Sequence, residues 1–360
     1  MHIDEAFYQD PFPFLARCRE IGALKVGMPD GTTPWLLTRY DDVVAALNHP
    51  ALSSQITPSG MMNHTDPPDH TRLRKLVMRG FSAKQTKALR PRIQQIADEL
   101  LDDWVGAPVV DVIDTFAFPL PIRVIGELLG VPDEDHPWLR ELTSALMRPE
   151  DMVTGYSSLV EYVGELVVRK QPGDDLITAL LDDEQLARHE LISMLILLIV
   201  AGHETTVQLI GNGILALLRD PAKFAELKAN PEDVPIAVEE LLRFDGPINP
   251  GVLRLAVDDV VIGGAEMAAG DFVLVSLASA NRDPSRFKNP DVLSFDRGRH
   301  LAFGHGIHHC LGAWLARLEG EIAFATLLRR YPDIELATEE FTWKVSVTRG
   351  LTALPVRPKP

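Results

Sequence analysis

The sequence predicts a mainly α-helical protein of the α+β class, with a small strand-rich part drawn from both ends of the chain. Three observations lead there. Apolar residues recur mostly at helical spacing over residues 69–218. The most apolar window, residues 191–202, sits in a pattern running from near His189 to about Arg219, before Pro221. That is a helix of about 30 residues and about 45 Å, long enough to span a domain. After it, VDDVVIGGAEMAAGDFVLVSLA combines alternation, Gly-rich turns and β-branched residues, the pattern of hairpins.

Taken in order, the first 60 residues mix short extended runs (TPWLLTRY) with helical ones (DDVVAALNHP), and Pro and Gly break up residues 58–68 into a loop. LRPRIQQIADELLDDW and LVEYVGELVVRK are amphipathic helices. A second helix over residues 233–244 closes with EELLRFDGP, where Gly246 and Pro247 stop it. One more helix, LGAWLARLEGEIAFATLLRRY, precedes residues 341–356, which read as strands. No repeat, low-complexity tract or linker divides the chain, so one domain over residues 1–360 is expected.

Of the 360 residues, 46% are hydrophobic and 24% charged, which excludes disorder and fibrous repeats. The formal charge of −16 repels phosphate backbones and anionic lipid, so neither nucleic acid nor membrane is an expected partner. MHIDEAFYQDPFPFL carries early acids and no continuous apolar core, unlike a secretory signal or anchor. The twelve-residue window at 191–202 falls short of the roughly 20 residues that cross a bilayer, so a buried helix in a cytoplasmic protein is expected. Two cysteines are too few for a disulfide framework. Cys18, in ARCRE, is a simple buried thiol, whereas Cys310 has different neighbours.

Residues 303–312, FGHGIHHCLG, place three glycines and a cysteine immediately before a helix starting near Ala313. A tight loop of this kind sets a thiolate where backbone N–H groups converge. An inert turn is the bland alternative, and zinc another, since His305, His308 and His309 join Cys310. Within the long helix, AGHETT follows twelve nearly all-apolar residues, a costly placement unless it serves a cavity or lies where the helix meets water. A Thr205 hydroxyl bonded to the Ala201 carbonyl would bend the helix and open a pocket. Glu240 and Arg243 stand at i and i+3, an ion pair or mere surface decoration. His70 and Arg74 share one helix face, where they can clamp a carboxylate or phosphate, while Arg72, Lys75 and Arg79 share the other. A solvated basic helix accounts for the same five residues.

In order along the chain, HTRLR, AGHETT, EELLR and FGHGIHHCLG, with ANRDP at 280–284 and RGL at 349–351, resemble the cytochrome P-450 superfamily in its soluble bacterial form. The resemblance spans almost the whole chain and implies the P-450 fold, a helical bundle around haem with small β-rich regions. It makes Cys310 the thiolate ligand of iron in haem b, with His70, Arg74, Arg254 and His308 at the propionates. Glu204 and Thr205 match the family's acid–alcohol pair, which relays protons to bound dioxygen. Glu240 and Arg243 match its buried structural ion pair, with Arg297 or Arg299 as a third member.

The activity so implied is a monooxygenase that puts one atom of O₂ into a small hydrophobic substrate and releases the other as water, in secondary metabolism. Leu197, Val200 and Ala201 on the long helix and Pro250, Gly251 and Val252 opposite match the substrate pocket. Without a flavin, nicotinamide or iron–sulfur motif in the chain, electrons come from a ferredoxin or flavodoxin and its NAD(P)H-dependent reductase, docking at Arg72, Lys75 and Arg79. An H₂O₂-driven peroxygenase and a non-catalytic haem sensor are the alternatives. Departures from the family are Trp314 in place of a common proline, and shortening near residues 55–66 and 146–160, which cover the pocket in relatives.

Overall fold

The computed structural model describes residues 1–359 except 58, 59, 79, 82, 147–150, 182, 184 and 297. The long helix is Arg188–Arg219. Its 32 residues give it a length of about 48 Å. It is long and apolar enough to cross a membrane, more so than the twelve-residue window suggested, yet it lies in the core. Helices Pro119–Leu129, Met152–Arg169, Val234–Phe244 and Ala313–Arg330 pack around it. Glycines set how closely: a Cβ at Gly213 would lie 2.5 Å from Phe324, and one at Gly202 would lie 2.9 Å from Ile125. Both neighbours therefore sit nearly on the helix backbone. Cys18 is fully buried, as expected of an inert thiol.

Among the described residues the strands gather in three small sheets. In the largest, Trp35–Leu37 runs parallel to Phe272–Val275, which pairs with Val252–Ala256, and Leu52–Ser53 closes the edge. The pairing of Ser53 with Leu255 brings the loop after residue 53 beside Arg254. Two findings differ from the sequence reading. The stretch 69–218 is interrupted by Val110–Asp111, which pairs with Pro355–Arg357. Residues 341–356 form only single bridges, Trp343 with Leu351 and Thr348 with Ile248, before the strand at Pro355–Arg357. Lys344 N–H donates to Gly350 O at 2.8 Å, closing a loop too short to hold two strands and a turn.

Candidate active site

A cavity of about 500 Å³ opens between the long helix, helix Asp69–Val77, strand Val252–Ala256 and the FGHGIHHCLG loop. The loop is built as its glycines demand. Gly304 and Gly306 take φ of 71° and 74°, the left-handed region, and a Cβ at Gly306 would meet Asn48 Oδ1 at 2.7 Å. Cys310 N–H donates to Phe303 O at 2.8 Å, and the next helix starts at Ala313. Cys310 is exposed and lines the cavity. Burial by the surrounding protein raises its thiol pKa, while the Gly312 N–H and the Arg74 and Arg317 charges act the other way.

Four basic groups line the same cavity. The His70 ring lies 4.1 Å from that of His308, centroid to centroid, and His308 Nε2 is 2.9 Å from Ser54 Oγ. Arg74 donates to His309 O at 2.6 Å, and Arg254 is buried. Burial, then the neighbouring His70 and Arg254 charges, pushes His308 down to about 4. Burial also lowers Arg254, opposed only by Asp66, whose carboxylate already accepts from Ser53 Oγ and Ser54 N–H. A buried Arg254 guanidinium with so little compensation, beside Arg74 and two imidazoles, fits a ligand that brings its own carboxylates. A soft sulfur donor on the cavity wall fits an iron centre in the same ligand. The residues therefore match a haem bound through Cys310.

On the long helix, Thr205 Oγ1 donates to Ala201 O at 3.0 Å as expected, and the helix runs on unbroken. His203, Glu204 and Thr206 are buried, so the reading that places them in water fails. Thr205 lines the cavity, whereas Glu204 lies off its wall with Oε1 accepting from Gln208 Nε2 at 2.7 Å. Leu197, Ala201, Gly251 and Val252 line the cavity. Val200 and Pro250 do not: Val200 packs into the main core, and Pro250 is buried. Leu197, Ala201 and Thr205 recur every four residues on one face, and Val200 is a quarter turn away from it. Sequence reasoning missed Met62, Asn63 and His64, which line the cavity from a single turn. Their only signal was the position of that loop.

The family profile described as Cytochrome P450 matches residues 234–342. Cytochrome P450 107B1 of Saccharopolyspora erythraea is 44% identical over 99% of this chain and 96% of its own. The polyketide biosynthesis cytochrome P450 PksS of Bacillus subtilis is 40% identical over 97% and 96%. The solved P450 monooxygenase TamI with bound tirandamycin C superposes with a TM-score of 0.94 at 42% identity, covering both chains fully. The chain belongs to the cytochrome P450 family. It is a haem-thiolate monooxygenase with the P450 fold.

In this P450 the EELLR pair is structural rather than decorative. Arg243 and Glu240 are buried and joined at 2.7 and 2.8 Å, and Arg243 also donates to the carbonyls of Asn281 and Pro290. Glu240 accepts from Ser294 N–H at 2.8 Å. Of the third members suggested, Arg299 is exposed and Arg297 lies outside the described residues. The outer basic triplet is thinner than expected. Arg72 is drawn to Glu190, a strong partner at the foot of the long helix, Arg79 lies outside the described residues, and Lys75 is exposed. Trp314 is 59% exposed beside the ligand loop. Part of the shortened 146–160 region also lies outside the described residues.

Proposed function

We propose that one domain over residues 1–360 binds haem b, with Cys310 as the iron ligand and His70, Arg74, Arg254 and His308 on the propionates. The observation that supports this is a single cavity walled by the Cys310 sulfur, the four basic groups and Thr205. When bound, the haem supplies the activation of O₂ that leaves one oxygen atom for the substrate and one for water. The chain's own residues do the remaining work. The Gly312 N–H favours the anionic sulfur. Thr205, whose hydrogen goes to Ala201, turns its lone pairs to the cavity and can accept a hydrogen bond there. Glu204, one residue earlier and off the cavity wall, stores the proton, which Thr205 passes on by turning its hydroxyl from Ala201 O to the cavity, and this relay favours O₂ over H₂O₂ as the oxidant.

Leu197, Ala201, Gly251 and Val252 are small or apolar and exclude water, so a neutral hydrophobic metabolite fits. The polyketide context printed for PksS and the tirandamycin C in TamI support a polyketide-like compound. Electrons arrive from a ferredoxin or flavodoxin with its reductase, in the cytoplasm and without nucleic acid or membrane. A spectral titration of the haem-loaded protein tests the pocket. Neutral polyketide lactones are expected to shift the haem absorption and glutamate to leave it unchanged; the reverse order rejects the substrate class.

A further inference from the structure

Glu204, Gln208 and Asn212 follow at four-residue steps on one face of the long helix, and all three are buried. Glu204 has its two oxygens in different surroundings. Oε1 accepts from Gln208 Nε2 at 2.7 Å, while Oε2 lies 3.8 Å from His203 Nε2. His203 Nδ1 is 2.7 Å from the Ile199 carbonyl, so Nδ1 carries the hydrogen, and Nε2 is a bare lone pair with no protein partner. Oε2 and Nε2 are therefore two acceptors facing each other at 3.8 Å, beyond hydrogen-bond distance, and a proton on Oε2 meets no competing donor from His203.

The Gln208 amide owes its position to the RGL segment at 349–351. A Cβ at Gly350 would lie 1.7 Å from Gln208 Oε1 and 2.7 Å from Nε2, so the amide occupies the space a side chain would take. The Gly350 backbone cannot yield. Arg349 is tied to Asp245 at 2.7 Å, its carbonyl accepts from Asn212 at 2.9 Å, and Gly350 O accepts from Lys344 N–H. Any added methyl must displace the flexible end of Gln208 instead.

We propose that Gln208 and Gly350 are positioning residues for Glu204: the missing side chain at Gly350 admits the Gln208 amide, which engages Oε1 and leaves Oε2 to carry the transferable proton. This rests on the reading of Glu204 and Thr205 as a proton relay. It also gives RGL a role that haem binding alone does not supply.

The test uses haem-loaded protein with a plant-type ferredoxin, its reductase, NADPH and O₂, without substrate. Infrared spectra assign the Glu204 carboxyl band as the one lost in Glu204→Gln. That band is expected to shift in both Gln208→Ala and Gly350→Ala, and peroxide formed per NADPH to rise about fivefold in each. The double variant is expected to be no worse than Gln208→Ala, because truncating Gln208 already leaves room for the methyl. A wild-type band and wild-type peroxide yield in Gly350→Ala, or additive losses in the double variant, overturns the proposal. Wild-type peroxide yield in Glu204→Gln instead overturns the relay itself, whatever the bands show.

Discussion

Thr205 donates to Ala201 and so faces the cavity with lone pairs alone, a different task from that of Glu204 one residue earlier, which is buried and held by Gln208. Removing the hydroxyl leaves the helix intact but takes away the polar group that, in the proposed relay, faces the cavity. Thr205→Ala is expected to keep consuming NADPH while peroxide replaces product, with the product-to-NADPH ratio falling about tenfold or more. Unchanged coupling removes Thr205 from the mechanism. Cys310, His70, Arg74 and His308 sit in short local patterns, and Arg254 came from the family match alone; all five line one cavity. Val200 and Pro250 do not: adjacent positions on a helix or in a turn point in different directions, and a family match fixes the segment better than the face. Met62, Asn63 and His64 were illegible for the opposite reason, since a loop has no period to mark which side faces inward.

At the scale of elements, two carboxylates on helix Val234–Phe244 hold its neighbours. Glu239 accepts from Arg317 at 2.6 and 2.9 Å and lies 3.2 Å from His300, tying the helix to Ala313–Arg330. Burial raises its pKa, but the hydrogen bonds from His300 and Arg317 outweigh that and bring it to about 2. A carboxylate depressed on folding adds stability above its unfolded pKa, near 4.5, and loses it as pH falls through about 2. Acid unfolding should therefore begin at higher pH in Glu239→Gln, followed by circular dichroism; coincident curves contradict the assignment. Glu240 and Arg243 are far more buried. Arg243→Ala leaves a buried charge and unpaired carbonyls and is expected to cost about 3–5 kcal/mol, read by urea unfolding of the haem-loaded protein. A loss below about 1 kcal/mol would make the pair decorative. The helices themselves were legible from periodicity, but the loop at 343–351 was not. Its alternating Val and Ser residues mimic a strand, while Arg349 and Gly350 are spoken for by Asp245 and Gln208, far away in sequence.

Across the whole molecule, a field of −16 opposes an acidic electron donor such as the proposed ferredoxin, so docking it requires a local basic patch. With Arg72 drawn to Glu190, the exposed Lys75 is the described member of the outer basic set free to meet such a donor. Lys75→Glu is expected to slow reduction by a ferredoxin at low ionic strength, with the difference closing as salt rises. Equal rates at low salt reject that surface. Net charge and composition alone pointed to a soluble protein without nucleic acid, but they are silent on docking, because a local patch is set by which charges the fold neutralises.

The central claim is the bond from Cys310 sulfur to haem iron, and the spectrum of the reduced protein under carbon monoxide tests it most directly. The account predicts the strongly red-shifted absorption of a thiolate-ligated carbonyl complex in the wild type and its disappearance in Cys310→His, whose imidazole gives the unshifted band. A wild-type protein loaded with haem but lacking the red-shifted band would contradict it.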